Sequence, residues 1–457
     1  MRSIHDSGNE SHTETGGTSM AKRFVVTATG DSLITRRLPP YPDDSFTQMV
    51  ALIQSADVAF TNMEMVLSRY AGTPVVESGG MNLSADPAVA RDLMRIGFNL
   101  TAFANNHTLN YGEQGALETL RALEEMGFVC AGAGRNLAEA RLPAFLETAA
   151  GRIGLVACAS TFAPGQRAGA QRGEVQGRPG LNPLRFDALY VVDQEHMEAI
   201  RRIAERTGAE RQRQRRAWMG FGPPPKREGE FIFADRSFVV GPEFRIKTEA
   251  HEKDLAGNLD SIRLAREMSD LVLVSIHAHE QGEERWHPAD FIVEFAHACI
   301  DAGADMVIGH GPHLLRGLEV YKGKPVFYSL GNFIFQAEYL QRVPADDYET
   351  LRIDPECSPA EVFKRLSKND TQSFPADRQY WETVLPLCTF EGRELREVRL
   401  YPLALGFGRP WPDRGTPRRA DPTAAAVVLR WMAELSAPFG TRIGIDAGVG
   451  QVQLPAE

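Results

Sequence analysis

Five apolar, β-branched runs in this chain each end in a short polar cluster. Phe24–Thr29 leads into Gly30-Asp31, Val58–Thr61 into Asn62-Met63-Glu64, and Leu100–Ala104 into Asn105-Asn106-His107. Leu271–Ile276 leads into His277-Ala278-His279, and Met306–Ile308 into Gly309-His310-Gly311-Pro312-His313. Short, continuously apolar runs of this kind read as buried strands. Between them the period changes to that of helices. Asp86, Pro87 and Gly97 mark the N-cap, first turn and stop of one helix, Glu113–Met126 is an amphipathic helix closed by Gly127, and Pro288–Ala302 stops before Gly303. Phe128–Ala131 and Ile153–Ala159 read as further strands, and Asp421-Pro422-Thr423 opens a last helix to about Leu435. Alternation of strand and helix predicts an α/β layered sheet.

The alternation fails from about residue 162 to 258, where Gly, Arg and Pro are frequent. Met197–Trp218 reads there as one helix carrying Arg201, Arg202, Arg206, Arg211, Arg213, Arg215 and Arg216. A solvated face, offset by Glu198, Glu205 and Glu210, is the plainer account of that run; anion binding is the alternative. The predicted organisation is a disordered tail over 1–20, a layered domain over 21–161 and 259–457, and an inserted segment, 162–258, placed as a candidate lid. Residues 337–378 read as polar and irregular, a second candidate lid.

Composition narrows the class. A net charge of −10 argues against general nucleic-acid binding. Five scattered cysteines without a CxxC pair argue for a reducing compartment and against a zinc–thiolate site. No apolar run approaches the roughly 18 residues of a membrane span. The expectation is a cytoplasmic protein.

The strand ends carry the candidate chemistry, because ligands in α/β sheets bind at the carboxyl ends of strands. His310 and His313 straddle Gly311-Pro312, which exclude a helix and leave both imidazoles free to enter one cavity. His277 and His279 alternate by two and share one side of a strand. Two inward histidines are costly without a metal or hydrogen-bond partner. Asn106 offers a neutral carbonyl oxygen, His107 a proton donor or acceptor, and Asp31 and Glu64 the negative charge for divalent cations. Such mixed oxygen and nitrogen donors admit Mn, Fe, Zn, Mg or Ca.

Taken in order, Gly-Asp, Asn-x-Glu, Asn-Asn-His, Ser-x-His and Gly-His-x-Pro-His resemble the CapA family of poly-γ-glutamate capsule-synthesis proteins. Tyr328-Ser329-Leu330-Gly331-Asn332-Phe333 is similar to that family's closing segment. The resemblance implies the calcineurin-like metallophosphoesterase fold, a four-layer αββα sandwich of two mixed sheets, and a dinuclear metal centre. It implies Glu64 as bridge, Asp31 and His313 on one metal, Asn106, His277 and His310 on the other, and His107 as the acid or base. Two departures stand out. Leu33 occupies a position where the phosphoesterases carry a histidine, and His279 is an extra histidine, an additional ligand or a second acid/base group. A soluble branch of the family includes an epimerase of a lasso-peptide precursor. The leading expectation is therefore Cα epimerisation of a peptide or amide-bearing substrate. Phosphoester hydrolysis and a non-catalytic capsule role are the alternatives.

Overall fold

The computed structural model describes residues 22–38, 43–78, 80–222 and 225–454. The tail expected over 1–20 lies outside the described residues. Two sheets face each other. The larger has ten strands. Its main path runs Arg442–Asp446, Val449–Gln453, Glu394–Ala404, Glu382–Glu391, Arg23–Leu33, Val58–Met63, Leu100–Ala102, Val129–Ala131. Asn332–Phe335 also pairs with Arg23–Leu33, and Arg418–Arg419 with Glu394–Ala404. The smaller sheet has six, in the order Leu318–Tyr321, Lys324–Phe327, Met306–His310, Leu271–His277, Arg152–Ala159, Ala144–Glu147.

Strand alternation divides the apolar side chains between layers. Phe24, Val26, Ala28, Val58 and Phe60 of one sheet pack with Leu271, Leu273, Met306 and Ile308 of the other in one shared core. Their odd-parity neighbours turn outward. Ala59 and Met63 pack with Met49, Ile53, Leu93 and Leu123 of the helices over the first sheet. Val272, Val274 and Ile276 pack with Ile262, Ala265, Phe291 and Phe295 of the helices over the second. The fold is thus the expected four-layer αββα sandwich. Cys158 and Cys299 are small hydrophobes of the outer core, and all five cysteines are free. No helix among the described residues is long and apolar enough to cross a membrane.

Continuing that parity puts chemistry on the inner face. After Leu271 and Leu273 come Ser275 and His277; after Met306 and Ile308 comes His310; after Val58 and Phe60 come Asn62 and Glu64. Asp31 has the wrong parity for this and is turned inward by a β-bulge. Ala28 pairs with Phe60 but Asp31 with Asn62, so the first strand holds one extra residue. Gly30 sits in the bulge, and a Cβ there would overlap the carbonyl oxygen of Gly331.

Three local expectations are corrected. The helix predicted over Met197–Trp218 is two, Gln194–Arg206 and Ala209–Trp218, broken at Gly208 with φ 78°. Ala209–Trp218 has no buried residue and Arg213 pairs with Glu210, as a solvated face requires. The segment 162–258 is not mainly loop. It contains a four-stranded sheet of Phe231–Phe233, Arg236–Val240, Phe186–Val192 and Arg245–Ala250, and its end enters the helix Glu252–Met268 of the outer layer. The stretch 337–378 contains the helices Ala345–Leu351 and Pro359–Leu366. The second opens with a Ser358/Glu361 capping box.

Gly30→Ala is expected to destabilise the fold by about 1–3 kcal/mol or more, as overpacking against backbone does, and to disturb Asp31. Denaturant unfolding alongside metal-content measurement checks this; a variant with unchanged midpoint and metal content would remove the role given to the bulge.

Candidate metal centre

Strand register brings the polar ends together. His277 pairs with His310 across the second sheet, while Asp31 lies between Asn62 and Asn332 in the first. The two clusters meet across the core. Asp31, Glu64, Asn106, His277 and His310 are essentially fully buried, and His107 and His313 nearly so. Asp31 Oδ1 lies 3.7 Å from His277 Nδ1 and 4.0 Å from His310 Nδ1, and Asp31 Oδ2 lies 3.3 Å from His313 Nδ1. Glu64 Oε1 lies 3.6 Å from His277 Nε2, 3.6 Å from His313 Nε2 and 3.9 Å from His107 Nε2. The imidazoles of His107, His277, His310 and His313 thus ring the two carboxylates, with Asn106 Nδ2 3.2 Å from His107 Nε2 and His279 adjoining His277.

Outer partners orient this set. Asn62 Nδ2 donates to Asp31 Oδ1 at 2.8 Å and reaches His277 Nδ1 at 3.2 Å, and the Gly311 N–H donates to Asp31 Oδ2 at 3.0 Å. His310 Nε2 is 3.0 Å from Ser275 Oγ, which leaves Nδ1 toward Asp31. His313 Nδ1 donates to Asn332 Oδ1 at 2.9 Å, which leaves the Nε2 lone pair toward Glu64. His107 Nδ1 donates to Asn110 Oδ1 at 2.7 Å and likewise keeps its Nε2 lone pair. Tying one ring nitrogen so that the other presents a lone pair is how proteins orient metal-binding imidazoles. His313 is held at φ 62°, a left-handed conformation that costs an ordinary residue about 1–3 kcal/mol and clusters at functional sites.

The polar atoms left over identify what the cluster fits. Both Glu64 oxygens, Asn106 Oδ1 and His310 Nδ1 are buried with no hydrogen-bond partner among the described residues. An unpaired buried carboxylate costs several kcal/mol. Burial tends to raise the Asp31 carboxyl, but hydrogen bonds from His277 and His313 and the charge of His310 outweigh it and hold it well below the usual range. Glu64 is pushed well above it by burial and by the Asp31 charge. Burial, reinforced by neighbouring imidazoles, presses His107 and His310 down to about 3 and His279 well below its ordinary value. The cluster thus combines a carboxylate held in its charged form, a second driven toward its protonated form, and three imidazoles, His107, His279 and His310, that resist charging. Divalent cations fit that donor chemistry.

Two donor groups stand within mutual reach, Asp31 with His277 and His310, and Glu64 with His279 and His313. His313 beside Glu64 is what a bridging Glu64 allows, Asp31 stands nearest His277 and His310, and His279 is among the donors, its Nε2 3.0 Å from His277 Nε2. Sequence reasoning gave no role to the orienting residues: Asn62, Ser275 and Asn332 lie within the family-like motifs without one, and Asn110 lies outside them.

The centre floors a cavity of about 750 Å³. His107, His279 and His313 line it, with Leu33 and Phe335 beside them and Phe363 among the residues that cover it. Among the described residues, none from 162–258 lines it; the cover comes from residues 337–375. The insertion reaches the centre at one point, where Gln166 Nε2 donates to the Asn106 carbonyl at 3.0 Å.

Residues 25–337 match the family described as bacterial capsule synthesis protein PGA_cap. Uncharacterized protein y4sH of Sinorhizobium fredii is 36% identical over 98% of this chain and 99% of its own length. The capsule biosynthesis protein CapA of Bacillus anthracis is 23% identical over 69% of this chain and 60% of its own. The "Probable polyglutamine synthesis accessory protein" of Mycobacterium tuberculosis is 25% identical over 74% and 70%. A solved structure of a hypothetical protein from Thermus thermophilus is 13% identical, covering 83% of this chain and 98% of its own, with a TM-score of 0.37.

Chelator-stripped protein is expected to gain thermal stability on addition of Mn²⁺ or Zn²⁺, by about 2.7 kcal/mol at a hundredfold excess over Kd. The gain should be larger at pH 8 than at pH 5.5. A carboxyl with a raised folded pKa adds stability below its ordinary value of 4.5 and loses it as pH rises through the folded value, where a cation takes the proton's place. Glu64→Gln should leave the stripped protein at least as stable and abolish most of the metal-induced shift. An undiminished shift in that variant would place the cation elsewhere. Asn332→Ala should lower metal affinity about 10–100-fold, the usual cost of losing an orienting partner, as read by competition with a fluorescent chelator.

Proposed function

This chain belongs to the bacterial capsule synthesis protein family PGA_cap, and we propose that it is a divalent-cation-dependent acid/base enzyme acting on a peptide or other amide-bearing chain during synthesis of such a polymer. The observation that carries this reading is the fully buried Glu64, both oxygens unpartnered, ringed by imidazoles under a 750 Å³ cavity. A scaffold has no use for so costly an arrangement at the floor of a substrate-sized space.

When bound, divalent cations supply polarisation of a carbonyl or phosphoryl oxygen. The residues supply the rest. His107 is neutral at physiological pH, and Asn110 fixes its tautomer, so Nε2 can take a proton from a group lying over Glu64 and return it. Asn106 Nδ2, 3.2 Å from that nitrogen, steadies the ring. Residues from 337–375 form one wall of the cavity and set the space available to a substrate over the centre. The relatives' names favour the capsule-synthesis alternative over Cα epimerisation, and neither they nor the geometry selects between amide chemistry and phosphoester hydrolysis.

Leu33 supports a second reading. It is 3% exposed, lines the cavity, and stands where the resemblance places a histidine, so a non-catalytic accessory role with a reduced centre is the competitor.

His107→Ala separates the two. In a cell whose polymer production depends on this protein, the variant should retain its metal content yet fail to restore production. Its turnover in vitro should fall about 10²–10⁴-fold, the usual worth of a positioned acid/base group. Restoration to the wild-type level would sink the catalytic reading and leave the accessory one. Amine release, solvent deuterium at a peptide Cα, and release of p-nitrophenol from bis-p-nitrophenyl phosphate distinguish the reaction types.

A further inference from the structure

The cationic groups of the cavity wall are unequally matched. Arg285 is paired with Asp377 at 2.7 Å and donates to Gln379 Oε1 at 2.6 Å. Arg414 is paired with both Glu338 and Asp370. Arg316 has no such partner. It is 1% exposed and lines the cavity that His107, His279 and His313 floor. Its Nε donates to the Arg285 carbonyl at 3.2 Å and its Nη2 to the His279 carbonyl at 3.1 Å. Its Nη1 is buried with no hydrogen-bond partner among the described residues, and no carboxylate among them lies within ion-pair distance of the guanidinium. Glu280 is the compensating charge that acts on it, and the Glu280 oxygens are already held by Ser160 Oγ at 2.5 Å and Thr161 Oγ1 at 2.8 Å. Burial lowers Arg316 to about 10, which leaves it charged at neutral pH.

The backbone fixes where this charge sits. The Arg316 N–H donates to the Ser329 carbonyl at 3.1 Å, and Leu315 bridges to Leu330. The side chain is therefore anchored three residues beyond His313 and bonded to the main chain of His279. A buried guanidinium with no carboxylate paired directly to it is costly to keep. Its fork matches carboxylate and phosphate oxygens, and such charge-assisted bonds are among the strongest available to a protein.

We propose that Arg316 is the specificity-determining residue of the cavity, and that the substrate presents an oxyanion, carboxylate or phosphate, to Nη1 while its reacting bond lies over the metal centre. This rests on the cavity being the substrate site, as in the function proposed above. Arg316 is assigned binding and orientation, not proton transfer. The substrate class is thereby narrowed to anionic chains or esters.

The test uses the full chain, Mn²⁺-loaded and chelator-stripped in parallel, at constant ionic strength in chloride. Isothermal titration compares N-acetyl-L-glutamate with its neutral isostere N-acetyl-L-glutamine, and with inorganic phosphate. At least one anion is expected to bind wild type ten or more times tighter than the neutral compound, and the identity of that anion names the oxyanion. Arg316→Gln should reduce the preference to within about twofold, and Arg316→Lys should retain part of it. The preference should survive chelation. If no cation is retained yet the preference persists and Arg316→Gln removes it, the metal reading fails and the anion site stands. A preference unchanged in Arg316→Gln, or lost on chelation with Arg316 intact, overturns the proposal, as does a wild type with no preference. Should Arg316→Gln not fold, Arg316→Lys and the wild-type chelation experiment decide. A purely structural Arg316 would lower Tm in these variants and leave the preference untouched.

Discussion

Two carboxylates, Asp31 and Glu64, share the dry interior between the facing sheets, and the surrounding centre is arranged around their repulsion. Neither is near solvent, so neither is screened. Asp31 is satisfied by Asn62, by the Gly311 N–H and by flanking imidazoles, and it keeps its charge. Glu64 has imidazoles near it but no donor, and burial beside Asp31 drives it toward the protonated form. The histidines cannot resolve the conflict by charging, because burial drives His107, His279 and His310 the other way. A divalent cation would relieve these strains together, because the carboxylates and the imidazole lone pairs that the outer hydrogen bonds leave free are donors suited to one.

The strand pattern that builds the core also builds this cluster. Inner-face positions are filled by Leu, Ile, Phe and Val until each strand reaches its carboxyl end, where the same parity is occupied by Asn62, Glu64, His277 and His310. The parallel register then sets His277 beside His310 without further instruction. Asp31 needs the one-residue bulge at Gly30, and His313 needs a left-handed backbone; both irregularities fall where chemistry outweighs regular pairing.

That pattern explains what could be read from the chain and what could not. Polar clusters following buried strands were legible because few soluble cores end in His-x-His or Gly-His-x-Pro-His. The orienting residues were hidden by their ordinariness. Asn110 and Ser275 resemble any turn or strand polar residue until the imidazole they fix is placed beside them. Arg316 looks in sequence like one more surface arginine after Leu314-Leu315, and only three-dimensional burial shows that its Nη1 is left without a hydrogen-bond partner among the described residues. The sheet within 162–258 did carry a signal, since Arg245–Ala250 alternates Arg, Lys and Glu with Ile, Thr and Ala, but the Gly-, Arg- and Pro-rich stretch around it masked that two-residue period. The helix at Pro359 did carry a readable Ser-Pro-Ala-Glu signature, but polarity around it masked the signal. Gly208 likewise carried the information that splits the arginine-rich helix.

The division of labour within the chain follows from where the family match stops. It ends at residue 337, after every metal-centre residue and just where the cover of the cavity begins. The match therefore takes in the whole donor set and its orienting partners, including Asn332, but almost none of the lid. Helices Ala345–Leu351 and Pro359–Leu366 close over the centre around a small core of Tyr348, Cys357 and Val362. Arg414, from farther along, fastens this cover by pairing with Glu338 and Asp370. Because Arg414 pairs with both Glu338 and Asp370, neither is left to pair with Arg316 across the cavity. A centre of carboxylates and imidazoles attracts cations and repels anions. If the cavity takes an anionic chain, as proposed, a buried arginine with a free Nη1 in the adjoining wall is what would offset that repulsion.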